Sequence, residues 1–344
     1  MHSSNSKFSA IVPYLLLLLA TGASFGQAKP PRHPENYDPA ARATVLHDAN
    51  VYVAADADSQ KISLVTPGHE LVIVEHNGPW VKVFANTDVN DSADEDDRNK
   101  PEFGDDANVT PASGWIRDKG VIGPATTGGD LILFGSAANF EDEATQAHAR
   151  KGAAGSAQLL YQRVAEYFPD SSLSAQAAWR SADIRWQLDK LDISTLPSAK
   201  EQEAYLRPQI YDGALKKVIK LYPGSQYAAM AAYDLLDNKL CGDWQGLPKC
   251  PEMETGLYQK YAQQFPEGPK AAEALYNAVY RQGVVVTMYA LQEDHKRADQ
   301  AAKRTQEITA ELKQRYPKSD YTARAASVAF RVAQGIPVYG SDRD

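Results

Sequence analysis

Three histidines are the first residues whose chemistry could support metal binding or acid–base catalysis. His47, His69 and His76 fall within one part of the chain, and Glu70 follows His69 directly. A helical zinc site of the His-Glu-x-x-His type needs its second histidine one turn after the first. The next histidine after His69 is His76, which is too far along to share a helical face. The histidines are therefore expected at separate surface positions rather than in a metal site.

Two common catalytic signatures are absent. The chain contains no glycine-rich phosphate-binding loop of the Walker type and no His-Glu-x-x-His sequence. We therefore expect no catalytic residue, no cofactor and no bound metal ion. A hydrolase, the remaining enzymatic alternative, would need acidic residues gathered in one cleft.

Most of the formal net charge of −8 comes from one acidic segment. Between Asp88 and Asp106, nine acidic residues oppose two basic ones, which leaves a net charge of −7. Its "DVNDSADEDD" resembles a calcium-binding loop in the spacing of its Asp and Asn residues. Ala93, however, stands where such a loop needs Gly, and Asn99 stands where it needs Glu. A solvated loop is the favoured interpretation, and calcium binding stays open. The nearly neutral remainder offers no basic surface for nucleic acid.

The N-terminus has the pattern of a secretory signal peptide. Lys7 precedes the apolar run "AIVPYLLLLLA" from Ala10, which is short for a membrane span. Small residues allow cleavage after Gly26 or after Ala28, so we predict a signal peptide over 1–28. An uncleaved anchor is the alternative, but the polar, proline-rich stretch that follows favours cleavage. The mature protein is thus expected to be periplasmic or secreted and not to span the membrane.

Cys241 and Cys250 are the two cysteines of the chain and enclose eight residues. An even count in an exported protein favours a disulfide bond. Closing such a short loop is expected to stabilise the fold by about 2 to 3 kcal/mol in the chain-entropy model.

Residues 43–123 predict a small, strongly curved β-barrel. Short runs rich in Val and Ile alternate there with turn residues. The runs "NVYV" from Asn50, "KISLVTPGHELVIVEHNGPWVKV" from Lys61 and "GWI" from Gly114 resemble bacterial SH3-like (SH3b) domains. The resemblance implies an SH3-like barrel in which an acidic insert, 86–113, replaces a tight hairpin.

Three aromatic residues of this segment are candidate ligand-binding residues. Tyr52, Trp80 and Trp115 could line a groove for peptides or cell-wall fragments, or they could pack against the small barrel. Because Trp80 follows an Asn-Gly-Pro turn, its ring is expected to be exposed, whereas Trp115 lies within a β run and is expected to be structural.

Four blocks later in the chain share one pattern. They read FPDSSLSAQAAW from Phe168, YPGSQYAAMAAY from Tyr222, FPEGPKAAEALY from Phe265 and YPKSDYTARAAS from Tyr316. Proline disfavours helix in the residue before it, so a helix should end at each aromatic residue. Ser at the fourth position can cap the next helix, and Ala at the eighth and tenth positions allows close packing on two sides. The pattern predicts stacked helical hairpins.

The four blocks resemble tetratricopeptide-type repeats of the divergent kind found in cell-envelope proteins. The resemblance implies an all-α repeat array over 140–335, flanked by linkers at 29–42 and 124–139 and a tail at 336–344. Successive block prolines are 54, 43 and 51 residues apart, longer than the family's period. At the twelfth position the blocks carry Trp179, Tyr233, Tyr276 and Ser327. These aromatics could bind a partner or pack within the array.

Together these features predict a multidomain β + α protein, a small SH3-like barrel followed by a tetratricopeptide-like array. The favoured function is an exported, non-catalytic scaffold whose array holds a protein partner of the cell envelope while the barrel binds a peptide or wall ligand. The alternative is a peptidoglycan-targeting accessory subunit of a separate wall-cleaving enzyme. The sequence names neither the partner nor the oligomeric state.

The predicted leader and disulfide can be tested together by mass. Intact protein purified from the periplasm is expected to begin near Gln27 or Lys29 and to be two hydrogens lighter than the reduced chain. A mass that shows two free thiols would remove the disulfide, and an uncleaved mass would remove the signal peptide.

Overall fold

The computed structural model describes residues 38–89 and 109–340, and it shows an antiparallel sheet followed by helices. The predicted signal peptide (1–28), the centre of the predicted insert (90–108) and the last four residues (341–344) lie outside the described residues. The coarse prediction of a β unit followed by an α unit is confirmed.

Seven strands in the described residues form one antiparallel sheet that curls into a half-barrel. Their bounds are β1 Arg42–Val45, β2 Ala49–Tyr52, β3 Lys61–Val65, β4 Glu70–Asn77, β5 Trp80–Ala85, β6 Ala112–Arg117 and β7 Val121–Ile122. Across the sheet the order is β3-β2-β6-β5-β4-β1-β7. Successive side chains point to opposite faces, so Val81, Val83 and Ala85 join the core while Trp80 and Lys82 lie on the outer face.

Nine α-helices follow in the described chain. They are α1 Gly129–Ala144, α2 Ala153–Tyr167, α3 Ser174–Ser194, α4 Gly213–Leu221, α5 Gln226–Asp234, α6 Lys249–Gln264, α7 Ala271–Leu291, α8 His295–Arg315 and α9 Asp320–Ala333. Within residues 38–89 and 109–340, none of the helices is both long and apolar enough to cross a bilayer.

The segment 124–139, expected to be a linker, contains most of helix α1. Leu133 and Ala137 on this helix are fully buried against α2. Gly129 at the start of α1 allows the Phe168 ring to pack against the helix, since a Cβ at this position would lie 2.4 Å from the ring. Burial of these side chains makes the segment part of the helical core.

The four block aromatics end helices α2, α4, α6 and α8 in the same way. These residues are Phe168, Tyr222, Phe265 and Tyr316. Each has φ between −132° and −124° and ψ between 52° and 63°, and its amide still donates to the carbonyl four residues earlier. The following proline excludes helical geometry at the residue before it. The predicted helix ends are confirmed in all four blocks.

Serine at the fourth block position caps a helix in two of three cases. The Oγ of Ser225 accepts from the Ala228 amide at 3.1 Å, and that of Ser319 accepts from the Tyr321 amide at 3.3 Å. Ser171 lies two residues before the α3 cap and instead donates to Asp130 at 2.6 Å.

The small residues of the blocks differ in burial. At the tenth position Ala177, Ala231, Ala274 and Ala325 are all completely buried. At the eighth position only Ala229 is buried, so the expectation of close packing there holds for one block. A Cβ at Gly268, the fourth position of the third block, would lie 3.1 Å from the Cβ of Ala229, so glycine there leaves room for the buried Ala229.

A buried arginine on α2 joins the helices to the half-barrel. Arg163 is 2% exposed; its Nε donates to the Gly68 carbonyl at 2.9 Å and its Nη1 to Glu166 at 2.7 Å. Its Nη2 forms an ion pair with Asp88. Burial raises the pKa of Asp88 and of Glu166, but the charge of Arg163, together with the other groups that donate hydrogen bonds or carry positive charge beside each carboxylate, outweighs burial and holds both pKa values below the ordinary range.

Further contacts tighten the same junction. Arg42 of β1 bridges Glu70 of β4 and Glu166 of α2. The Tyr167 hydroxyl donates to the Ala43 carbonyl at 3.0 Å. Gly68, with a φ of +92°, comes so close to α2 that a Cβ there would lie 2.5 Å from that of Leu159. We name the group Arg42, Glu70, Asp88, Arg163 and Glu166 the junction cluster.

Both ends of the acidic insert belong to the fold. Asn86 is completely buried and donates to the carbonyls of Leu64 and Thr110 at 2.9 and 3.0 Å. Thr87 donates to Glu70 at 2.9 Å, and Asp88 pairs with Arg163. The expected bounds 86–113 are therefore too wide, because the flanking residues are held by long-range contacts that the local acidic composition does not reveal.

The predicted tail begins with residues that pack on α7. The Val338 amide donates to Thr287 at 3.0 Å, and the Tyr339 ring lies 5.9 Å from that of Trp244. Gly283 leaves the room for Val338, whose Cγ2 would lie 3.3 Å from a Cβ at that position.

The burial difference within the blocks gives a matched pair of substitutions. Ala274→Leu adds an isobutyl group to a filled helix contact and is expected to lower the free energy of unfolding by about 1 to 3 kcal/mol. Ala323→Leu, at the exposed eighth position of the last block, should change it little. Urea unfolding measures both; equal losses would contradict the packing described.

Two deletions of different length in the acidic insert give a second matched comparison. Replacing residues 90–108 by a short Gly-Ser linker should leave the melting temperature nearly unchanged, because shortening a closed loop has a small entropic effect. Replacing 86–113 by the same linker removes Asn86 and Asp88 and should lower the melting temperature strongly. Similar melting temperatures for the two deletions would show that the flanking contacts contribute nothing.

Candidate functional site

The three aromatic candidates of the half-barrel converge on its outer face. Tyr52, at the end of β2, lies directly opposite Trp115 of β6. The ring centroids of Tyr52 and Trp80 are 5.5 Å apart, with the rings nearly perpendicular. Directly opposed residues of neighbouring strands share one face, so residues from three separate sequence motifs form one aromatic group.

Basic side chains lie over each of these rings. The Nζ of Lys82 is 6.0 Å from the Trp115 centroid, and the Nζ of Lys61 is 6.0 Å from the Tyr52 centroid. The Arg117 guanidinium lies 4.0 Å from the Trp80 centroid. We name this surface the aromatic–cation face; its members are Tyr52, Lys61, Trp80, Lys82, Trp115 and Arg117.

The accessibility of Trp80 differs from the expectation. Trp80 is 5% exposed, because Tyr52 meets one side of its ring and Arg117 covers another. Trp115 is half-buried on the outer face. The prediction that Trp80 presents its ring is therefore wrong, since neighbours across the strands, and not the turn before Trp80, decide its exposure. The structural role expected of Trp115 stays a prediction.

The accessible part of the face combines flat apolar surface with positive charge. Tyr52 and Trp115 offer half-buried rings, while Lys61 and Arg117 are exposed beside them. On the β4 side Glu75 lies opposite Lys82 and contributes one negative charge. Aromatic rings flanked by cations suit a ligand that has an apolar part and a carboxylate.

The aromatic residues at the twelfth block position contact the sixth position of the next block. Trp179 stacks on Tyr227, with centroids 6.1 Å apart. The Tyr276 and Tyr321 rings follow the same rule at 5.7 Å. Between the second and third blocks, Lys270 takes the place of the aromatic residue at the sixth position, and its Nζ lies 5.4 Å from the Tyr233 centroid.

These contacts give Trp179, Tyr233 and Tyr276 a packing role between consecutive blocks. All three are half-buried, so their outer edges remain accessible. Sequence reasoning missed their partners, Tyr227, Lys270 and Tyr321. The signal was present, since Tyr recurs at the sixth position of the second and fourth blocks.

The largely buried carboxylate of Asp234 lies beside the contact between the first and second blocks. The Trp179 Nε1 donates to Asp234 at 3.4 Å. Burial, with a further contribution from the negative charge of Asp183, raises the pKa of Asp234 to about 7. Asp237 acts in the same direction, and Lys270 opposes it.

The disulfide bond between Cys241 and Cys250 is confirmed, with a Cα–Cα distance of 6.0 Å. Glu254, 1% exposed, holds the enclosed loop by accepting from the Cys241 amide at 2.8 Å and from Trp244 Nε1 at 3.2 Å. Arg281 pairs with Glu254. The loop is thus anchored to α6 and α7.

The three histidines occupy separate environments. His47 contacts the Lys119 carbonyl at 2.9 Å, and His76 lies 3.5 Å from Asp118. His69, half-buried, lies 3.2 Å from Asp88 at the edge of the junction cluster. Among the described residues, no group of three His, Cys, Asp or Glu side chains could share a metal ion. The calcium-like stretch falls largely within 90–108, outside the described residues.

Comparisons with known proteins identify no family for this chain. No protein-family model matches the chain, and no curated protein matches it. The resemblances to SH3-like domains and tetratricopeptide repeats stay predictions.

The pKa of Asp234 gives a pH-dependent prediction. A carboxyl whose folded-state pKa of about 7 lies above its ordinary 3.8 binds its proton more tightly in the folded state, so it destabilises the fold progressively as pH rises between these values. Asp234→Asn removes this effect. The stability gained by the variant over the wild type should grow from pH 4 to pH 7 and then level off. A gain that is independent of pH in thermal unfolding would contradict the assignment.

Proposed function

We propose that this protein is an exported, non-catalytic scaffold of the cell envelope. Its half-barrel is an SH3-like domain that binds a peptide or wall ligand, and its helices are tetratricopeptide-like repeats that hold a protein partner. The observation that carries the proposal is the aromatic–cation face, where half-buried rings and basic side chains lie together on the outer side of the sheet. The core side of the sheet is filled by aliphatic residues, so the aromatic and basic side chains are concentrated on the outer face.

The geometry of the helices supports the repeat part of the proposal. Four helices end with the same dihedral angles at equivalent positions, and three pairs of consecutive blocks meet through the same twelfth-to-sixth contact. Units stacked in this way present an extended surface to a partner. The disulfide bond supports export, since such bonds persist mainly in oxidising compartments.

A peptidoglycan-targeting accessory subunit is the second candidate function. Lys61, Lys82 and Arg117 favour it, because the peptide stems of the cell wall carry carboxylates that these cations could bind. In that case the chemistry would belong to a separate wall-cleaving enzyme, and this chain would supply only attachment.

Cosedimentation of the full chain with purified peptidoglycan tests the ligand. If the face binds the wall, the wild type is depleted from the supernatant, and Trp115→Ala weakens binding more than Trp80→Ala at equal folded fraction. The reason is that Trp115 is accessible while Trp80 is covered. Trp80→Ala should mainly lower stability, by about 3 to 5 kcal/mol for the loss of a large buried ring.

Two outcomes limit the proposal. Full-length protein that stays in solution while a known wall-binding control is depleted would remove the wall ligand and the targeting alternative. Absence of both wall binding and a reproducible crosslinked protein partner in the envelope would overturn the scaffold itself.

A further inference from the structure

The last described helix, α9, leaves open a face that the equivalent helices bury. On α3 and α7, and on α5 with the residues just after it, the eleventh, twelfth and fifteenth block positions pack in hydrophobic clusters against the helices that follow. These residues are Ala178, Trp179 and Ala182, then Ala232, Tyr233 and Leu236, then Leu275, Tyr276 and Val279. The equivalent residues of α9 are Ala326, Ser327 and Phe330, and all three are exposed, Phe330 by 63%.

The earlier blocks show what such a face accepts. In each case the next block supplies a helix with an apolar pair placed eight and four residues before its aromatic end. The pairs are Ala214 and Val218, Leu257 and Tyr261, and Ile308 and Leu312. A helix with such a pair therefore covers this face three times in the chain, most extensively where α8 lies on α7 and least where α6 lies on α5.

The far side of α9 holds the open face in place. Ala325, Val328 and Ala329 are buried, and Val328 packs so tightly on α7 that its Cγ1 would lie 2.8 Å from a Cβ at Gly283. Phe330 is thus presented to solvent from a fixed helix and does not need to be reoriented before it binds a partner.

We propose that the face formed by Ala326, Ser327 and Phe330 binds an amphipathic α-helix of a partner protein, with apolar side chains four residues apart. The face is equivalent to one that a helix covers three times within the chain. Ser327 replaces the aromatic residue that elsewhere contacts the sixth position of a following block, so the site offers contacts to one helix rather than to a complete hairpin. This inference rests on the proposed scaffold function and gives it a partner of defined chemistry.

The chain supplies its own probes for this site. Labelled synthetic peptides of residues 249–265 and 295–316 carry the helices that cover the equivalent faces of α5 and α7. Fluorescence anisotropy with the full-length protein measures their binding. At least one peptide is expected to bind, and Phe330→Glu should weaken the affinity by roughly ten- to a hundredfold, because a buried phenylalanine contact is lost. Far-UV circular dichroism verifies that each variant is folded.

Leu131→Glu provides the matched control, since Leu131 on α1 is 66% exposed but lies at the other end of the helical region. It should leave binding unchanged. Failure of both peptides to bind at concentrations up to about 1 mM, or binding that Phe330→Glu does not affect, would overturn the proposal. A wild-type dimer that Phe330→Glu converts to a monomer in sedimentation velocity would assign the face to a second copy and overturn the partner helix. None of these results bears on the aromatic–cation face, which wall cosedimentation tests separately.

Discussion

The buried guanidinium of Arg163 is the interaction on which the arrangement of the whole molecule depends. It donates to the Gly68 carbonyl of the half-barrel, pairs with Asp88 at the base of the insert and pairs with Glu166 on its own helix. A buried charge is tolerated only when such partners satisfy it, and removing one partner of a buried pair typically costs about 3 to 5 kcal/mol. The half-barrel and the first helices are therefore held in one geometry.

This junction gives the two candidate surfaces a common frame. The aromatic–cation face lies on β2, β5 and β6, while the junction involves β1, the β3–β4 turn and α2. From α3 onwards the twelfth-to-sixth contacts repeat the same step between blocks. A ligand on the sheet and a helix on α9 would thus be held at a defined separation, which is what a scaffold requires and what a flexible linker between the units would not provide.

Local patterns of the sequence predicted those parts of the fold that local forces decide. The Tyr-Pro and Phe-Pro pairs predicted four helix ends, because the clash with proline acts on the preceding residue alone. Ser225 and Ser319 were predicted as caps for a similarly local reason. The disulfide followed from Cys241 and Cys250 being the single pair in the chain.

Features that depend on residues distant in the sequence were missed. Asp88 was counted as part of a solvated acidic run, although its partner Arg163 lies 75 residues away. The exposure of Trp80 was misjudged because Tyr52 and Arg117, on other strands, cover it. The candidate residues themselves were recognised by type, and their convergence on one face required the strand order, which no short motif specifies.

Pulsed hydrogen exchange through a urea titration tests most directly whether Arg163 couples the half-barrel to the helices. Peptides from β1, β4 and α2 are followed by mass spectrometry. In the wild type the sheet and α2 should lose protection at the same urea concentration. In Arg163→Met the sheet and the helix should lose it at different concentrations, while Arg304→Met, which removes a partly buried arginine far from the junction, should keep the transitions coincident. Separate transitions in the wild type, or coincident ones in Arg163→Met, would contradict the claim that Arg163 couples the two units.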